Sequence, residues 1–393
     1  MLGVSPQERT SHEKKNVSND KPKLTDAEVL RQAQDTLEQH FNLHAEGYTC
    51  TTTTLYQVLI GVAAKQGTLN SVCREMKEGP DAETVRLYLD AQLKVEDLPE
   101  LERCFNRALA AHWPKQVLRQ GAIEVAMDFH DRRYYGKAEQ KDALWVRGEA
   151  KDGTTRFYRV ITAYLIHKGR RVTLALGFIF PETKPVEALA ALWRNLRQRG
   201  VRVGCLYLDK GFAGSEVCQY LQRRQQPALI ACPIRGKQGG TRALCDGRGS
   251  YNTSYTFKAG TAEAYTANLA VCRVYTTARR TKRRKREAAW LLFIRIHLDW
   301  PPEDCRRHYR KRSGIETSYR LANKLLGWTT SQNAAYRFFL IALGFVLLNL
   351  WVRLCWSYTQ VARRGRRYLH AALFRQERFC NFLKTPWSIF MGV

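Results

Sequence analysis

The 393-residue sequence predicts an α/β protein, and three features of the chain support this fold class. An N-terminal stretch carries apolar residues at helical spacing without any strand pattern. Apolar β-branched runs then alternate with amphipathic stretches, as in a sheet covered by helices. A hydrophobic content of 45% excludes wholesale disorder. The chain is longer than one typical domain, so we expect two or three structural units.

The N-terminal quarter of the chain predicts a disordered lead followed by helices. Residues 1–24 have no apolar core, which argues against a signal peptide or membrane anchor. Residues 25–118 predict an all-helical domain. Within it, "TLNSVCREMKEGPDAETVRLYLDAQL" places a Gly-Pro break between two short helices, as in a helix-turn-helix. This unit either binds DNA, with Thr84 and Arg86 facing outward, or packs as an ordinary helical bundle.

Residues 119–234 predict the first part of a catalytic core. "AIEVAMDFH" and "RFYRVITAYLIHKGRRVTLALGFIF" read as three successive strands. A helix ending at Gly200, the strand "VRVGCLYLD", the helix "SEVCQYLQRRQ" and the strand "PALIACPI" follow. The order strand, strand, strand, helix, strand, helix, strand is that of an RNase H-like core.

The remaining residues predict an insertion, a return to the core and a tail. Residues 235–300 read as a β-rich insertion, residues 301–360 as the second part of the core, and residues 361–393 as a basic C-terminal tail. The uncharged run Phe338–Val352 is shorter than the roughly 20 residues of a membrane-spanning helix and contains Asn349. We therefore expect a buried core helix and no membrane partner.

The charge balance points to a polyanionic partner. Lys and Arg total 64 against 36 Asp and Glu, a net charge of +28 that exceeds what solubility needs. Nucleic acid is the favoured partner over a merely basic protein. One segment of the insertion, "RRTKRRKR", is either a phosphate-binding hairpin tip or a solvated loop. Its basic residues are Arg279, Arg280, Lys282, Arg283, Arg284, Lys285 and Arg286.

The eleven cysteines are spread singly along the chain without a CxxC pair, which is typical of reduced thiols rather than a zinc site. We therefore expect a cytoplasmic, nucleoid-associated protein.

Three carboxylates stand at positions that suit metal-dependent chemistry. Asp128 is expected to end the first core strand, Asp209 ends the strand after the first core helix, and Glu316 lies on a helix after the insertion. Ligands collect at the carboxyl ends of strands in an open α/β sheet. Three such carboxylates repel one another unless cations lie between them, and Mg²⁺ is the natural partner. Two Mg²⁺ ions could activate a water or 3′ hydroxyl and stabilise the leaving oxygen of a phosphodiester.

The segments around these acids resemble the DDE transposases of insertion sequences, in the IS-four-type superfamily with a Tyr-x2-Arg-x3-Glu-x6-Lys signature. Tyr309, Arg312 and Glu316 fit that spacing, whereas the last position falls on Asn323, with Lys324 one residue later. "MDFHDRRYYGK", "LYLDKGFAG", "CPIRGKQGG" and "YRKRSGIETSYR" are similar to the group common in halophilic archaea and cyanobacteria. Lys210 stands where better-known relatives have Arg, which loses the bidentate fork.

The resemblance implies a cut-and-paste transposase of prokaryotic origin. Asp128, Asp209 and Glu316 would hold two Mg²⁺ ions, for which Mn²⁺ would substitute. Tyr309, Arg312, Lys324 and Lys210 would bind DNA phosphates near the cleaved end. The partners would be the terminal inverted repeats and target DNA, held by a homodimer in a synaptic complex.

Cleavage through hairpin ends needs an aromatic platform for a base that leaves the stack. Trp290 is the candidate, although it could instead pack on a strand. Two other functions remain open: an RNase H-like nuclease or junction resolvase with the same metal triad, and a non-catalytic DNA-binding protein derived from a transposase.

Overall fold

The computed structural model describes residues 24–76, 79–119, 121–136, 144–167, 171–278, 285–363, 366–369 and 373–388. Two sequence predictions fall elsewhere: nearly all of the N-terminal lead, and the basic residues Arg279 to Arg284, lie outside the described residues. Nothing is described of the side chains of Lys285 and Arg286.

Helices occupy the N-terminal quarter and recur between and after the strands. They are α1 Asp26–His40, α2 Thr52–Lys65, α3 Leu69–Glu75, α4 Ala82–Gln92, α5 Leu98–Ala111, α6 Lys115–Arg119, α7 Pro185–Gln198, α8 Ser215–Arg223, α9 Pro302–Tyr309, α10 Ser313–Asn323, α11 Ala334–Tyr358 and α12 Gln376–Ser388. Short 3-10 turns span Val95–Asp97, Lys210–Phe212, Gly240–Leu244 and Arg310–Arg312.

Side-chain caps explain why the N-terminal helices begin where they do. Thr25, Thr51, Thr68 and Asp81 each stand at a helix start, and each side-chain oxygen accepts a hydrogen bond from a backbone N–H of the first turn. Such a cap satisfies an N–H that has no partner within the helix. The two short helices α3 and α4 lie on either side of the Gly-Pro break, where the sequence predicts them.

Strands before and after α7 and α8 build one mixed sheet. They are β1 Ile123–Arg133, β2 Val146–Lys151, β3 Thr154–Ile166, β4 Thr173–Ile179, β5 Val203–Leu208, β6 Ala228–Cys232, β7 Tyr251–Phe257, β8 Tyr265–Ala278 and β9 Lys285–Ile296, with a separate hairpin of β10 Gln360–Arg363 and β11 Arg366–Leu369. The strand order is β2-β3-β1-β5-β6-β9-β8-β7, and β4 pairs with β3 beside β2. Strands β1, β5 and β6 are parallel to one another, whereas the other pairings are antiparallel.

The structure differs from the sequence-based description in the β-rich segment after β6 and in the end of β1. The β-rich segment after β6 continues the main sheet, because β9 pairs with β6 along Ala228–Cys232 and covers an otherwise open edge. Asp128 does not end β1, which runs on to Arg133. The extra residues stay in the sheet because they pair with β3, as in Arg133 with Phe157.

Polar side chains from two helices form hydrogen bonds with backbone groups along the outer edge of β4. Asn349 of α11 accepts from the Thr173 N–H (2.9 Å) and donates to the Thr173 carbonyl (2.8 Å). Asn106 of α5 bonds the N–H and carbonyl of Leu176 in the same way. Unpaired backbone groups at a buried edge would be costly. These side chains therefore dock the helices onto the sheet.

Helix α11 is the core helix that the sequence predicts, and it is longer than the uncharged run. It is 25 residues long, and its most apolar 18-residue window has a mean hydropathy of 2.2, enough in length and composition to cross a membrane. Within the protein, however, 89% of that window is buried.

The C-terminal segment that the sequence predicts as a basic tail contains α12. That helix packs on α1 and α2 and buries Phe379 and Leu383.

Candidate active site

The parallel pairing of β1 with β5 sets two of the predicted acids side by side. Met127 of β1 pairs with Leu208, the last residue of β5. Asp128 follows Met127 within β1, and Asp209 follows Leu208 directly after β5. Asp209 comes directly before the 3-10 turn Lys210–Phe212. In that turn the Phe212 ring stacks on Phe129 with centroids 4.7 Å apart. This stacking holds the turn beside Asp128.

Arg312 joins all three predicted acids. It lies in the 3-10 turn between α9 and α10, and its Nη2 donates to Asp128 Oδ2 at 2.6 Å and lies 3.6 Å from Asp209 Oδ1. Its Nη1 is 3.5 Å from Glu316 Oε1, one helical turn later. Three carboxylates from distant parts of the chain thus surround one guanidinium.

The three carboxylates differ in their access to solvent. The side chain of Asp128 is 15% exposed, that of Asp209 43% and that of Glu316 65%, whereas Arg312 is only 7% exposed. Burial raises the pKa of Asp128 to about 6, although Arg312 opposes that shift, and the nearby charge of Asp209 adds to it. Asp128 is therefore the carboxylate that most needs a cationic neighbour.

Two tyrosines fix the backbone around the carboxylates. Tyr309 donates from its hydroxyl to the Leu208 carbonyl at 3.1 Å, directly before Asp209. Tyr319 donates to the Asp128 carbonyl at 3.0 Å, and its hydroxyl oxygen lies 2.7 Å from Thr162 Oγ1 on β3. Tyr319 is absent from the site that the sequence predicts. Its position three residues after Glu316, on the same helical face, is the signal that could have found it.

The donor set suits a hard divalent cation, which prefers carboxylate oxygens. Among the described residues, however, no group of three or more Asp, Glu, His or Cys side chains stands ready to enclose a metal ion. Arg312 holds the central position and contributes the positive charge there. A metal ion could use all three carboxylates once Arg312 withdraws from Asp128.

Two further residues predicted to bind DNA phosphates, Lys210 and Lys324, are exposed. Lys210 is exposed on the turn after Asp209. Lys324 directly follows α10 and pairs with Glu377 of α12 at 2.9 Å, while Asn323 is the last residue of α10.

Trp290 stands on β9 opposite Arg273, whose guanidinium is 5.9 Å from the indole ring. In the N-terminal helices, Thr84 is partly buried, and Arg86 pairs with Glu83 and donates to Asn70.

Comparison with known proteins identifies one informative structural neighbour. No protein-family model matches the chain, and a search of curated proteins gave no match. A structural search finds a piggyBac transposase, solved as a synaptic complex with hairpin DNA, with a TM-score of 0.52 and 10% sequence identity. The match covers 93% of this chain and 78% of the other. The chain therefore has a mixed α/β fold similar to that of a transposase.

Proposed function

We propose that the protein is a DDE transposase that excises and inserts an insertion sequence by metal-dependent phosphoryl transfer. The observation that carries the proposal is the meeting of Asp128, Asp209 and Glu316 around Arg312. Structural ion pairs seldom need three carboxylates from separate elements around one cation, whereas phosphoryl-transfer sites do need converging acids.

The arrangement of strands supports an RNase H-like core. Strands β4, β3 and β1 form an antiparallel meander, and β5 and β6 follow in parallel on the other side of β1. Asp209 directly follows the carboxyl end of β5, and Asp128 lies within β1 where its pairing with β5 ends. Open α/β sheets bind ligands at this kind of edge. In this proposal the helices α1–α6 form a DNA-binding domain, and β7–β9 form an extension of the core.

Asp128, Asp209 and Glu316 would hold two Mg²⁺ or Mn²⁺ ions. When bound, these ions supply an activated hydroxyl nucleophile and stabilise charge on the phosphodiester. Arg312 would exchange its contact with Asp128 for the oxygens of a phosphate, for which its planar fork is suited. Tyr309 and Tyr319 would keep the strand ends at Leu208 and Asp128 in place during this exchange.

The proposed partners are terminal inverted repeats and target DNA, brought together by a homodimer. The structural neighbour is a transposase in a synaptic complex with hairpin DNA, which supports cleavage through hairpin ends. Trp290 would then serve as the stacking platform for the displaced base, since its ring is partly exposed beside Arg273. A cytoplasmic, nucleoid-associated location in a prokaryote follows from this role.

The proposal is tested with linear DNA that carries the gene together with its flanking repeats. With Mg²⁺ we expect release of the element and hairpin ends on a denaturing gel. Glu316→Gln should abolish cleavage and leave DNA binding unchanged, because it removes a charge with little change of shape. Glu216→Gln, at an exposed position of α8, is the matched control and should cleave normally. Random nicking alone would favour the nuclease, and cleavage by the Glu316 variant would remove that residue from the site.

A further inference from the structure

A groove of about 560 Å³ runs along the side of α9 that faces β8. It is separate from the carboxylate cluster, although both use the segment from α9 to α10. The lining residues are Ser250, Cys272, Arg273, Pro302, Glu303, Arg306, Arg307, Arg310, Lys311 and Ser313. Cys272 donates from its thiol to the Pro302 carbonyl at 3.1 Å, which ties the two walls together.

Basic side chains dominate the lining, which contains one carboxylate, Glu303. Three of the five basic residues have partners within the protein. Arg307 pairs with Asp304 at 2.7 Å, Lys311 pairs with Glu124 at 2.9 Å, and Arg273 donates to the Arg248 carbonyl at 2.8 Å.

Arg306 and Arg310 are the uncompensated charges of the groove. Both side chains are exposed, and neither has a carboxylate partner within the part of the chain that the structure describes. Arg306 lies on α9, Arg310 begins the 3-10 turn that follows it, and both side chains line the groove.

The same segment presents its other side to the carboxylates. Tyr309 and Arg312 point toward Leu208 and Asp128, whereas Arg306 and Arg310 line the groove. A strand lying in the groove would leave it at Ser313, directly after Arg312.

We propose that this groove binds the phosphate backbone of a DNA strand that leads into the carboxylate site. The inference rests on the proposed function and adds to it the path of the substrate. Paired basic residues alone would suit many anions. Here, however, the two free guanidinium groups line a groove that leads to acids suited to phosphodiester chemistry. This arrangement favours a polynucleotide over an acidic peptide.

The test is the salt dependence of DNA binding by the Arg306→Ala/Arg310→Ala variant. The probe is a short fluorescein-labelled duplex of arbitrary sequence, titrated by anisotropy at several KCl concentrations in EDTA, so that cleavage plays no part. Each lost phosphate contact lowers the slope of log K against log salt by about 0.9, so we expect a slope about two smaller than in the parent. Arg306→Lys/Arg310→Lys keeps both charges and should restore the parental slope, which a folding defect would prevent.

The matched control is Arg194→Ala/Arg197→Ala. These two exposed arginines lie on α7, which contributes no residue to the groove, and the parental slope should persist. An unchanged slope in the groove variant would overturn the inference. Polyglutamate serves as the acidic-peptide probe: if the groove variant lost binding to polyglutamate and kept its binding to DNA, the inference would also be overturned.

The two proposals can fail separately. A reduced slope in a protein that never cleaves DNA would support the groove and reject the transposase activity. Cleavage at the repeats, together with an unaltered slope in the groove variant, would support the transposase activity and reject the groove.

Discussion

Glu102 offers a quantitative test of how α5 is docked on the sheet. Its Oε2 accepts from the Phe178 N–H of β4 at 3.1 Å, and burial raises its pKa from the ordinary 4.5 to about 7, against the opposing effect of that hydrogen bond. The folded state therefore keeps a proton that the unfolded state has released between these two pH values. The free energy of unfolding therefore falls as pH rises through this interval. Above it, the full loss of stability from ionising Glu102 in the folded protein is present.

The size of this effect follows from the shift. At 1.36 kcal/mol per pH unit, the rise of the Glu102 pKa from 4.5 to about 7 corresponds to at most about 3.4 kcal/mol. Glu102→Gln stays neutral and keeps an acceptor for Phe178. We expect the variant to be more stable than the parent by up to about 3 kcal/mol near pH 8, and by less than about 1 kcal/mol near pH 5. Urea denaturation at both pH values measures the two differences.

Glu100→Gln is the control for this experiment. Glu100 lies on the exposed first turn of α5, and hydrogen bonding from Arg103 lowers the pKa of its carboxyl group. Its replacement should bring no gain at high pH. If Glu102→Gln gave no gain near pH 8, or the same gain at both pH values, Glu102 would not be a buried neutral acid in the folded protein.

Two further predictions concern Arg312 and Asn349. Arg312→Gln should lower the free energy of unfolding by about 3 kcal/mol in EDTA, because the buried Asp128 loses its 2.6 Å partner. Mg²⁺ should then raise the melting temperature of this variant more than that of the parent, and an equal rise would show that Arg312 does not compete with the metal. Asn349→Leu should cost about 2 kcal/mol in urea denaturation, since it leaves both backbone groups of Thr173 unpaired in the core. A variant as stable as the parent would show that α11 is held by apolar packing alone.

Much of the order of helices and strands could be predicted, because each element has its own pattern of apolar residues in the sequence. The spacing of apolar residues predicts α7, β5, α8 and β6, and Gly200 marks the end of α7. The proximity of Asp128 and Asp209 could also be inferred from parallel neighbouring strands, although β1 does not end at Asp128 and only its pairing with β5 ends there. The contact between Arg312 and Glu316 follows from their spacing of one helical turn.

Other features depend on pairings between distant residues and leave no local signal. The register of β9 on β6, which makes the β-rich segment part of the main sheet, is set by two strands some 60 residues apart. Helix α12 has a weak apolar stripe among basic residues, and its place is set by α1 and α2 at the other end of the chain. The role of Asn106 is likewise visible only once β4 lies beside α5.

The position of Arg312 also changes how the lone acid in the basic stretch "HYRKRSGIETSYR" is understood. Glu316 makes a longer contact with Arg312 (3.5 Å) than Asp128 does (2.6 Å), and its side chain is far more exposed. The cost of separating Arg312 from Glu316 is small, because exposed ion pairs contribute little, whereas the buried pair with Asp128 is expensive to break. In the proposed function, Glu316 and Asp209 would be the carboxylates open to a divalent cation, and Asp128 would become available to it only when Arg312 leaves. The guanidinium of Arg312 would then be available to a phosphate.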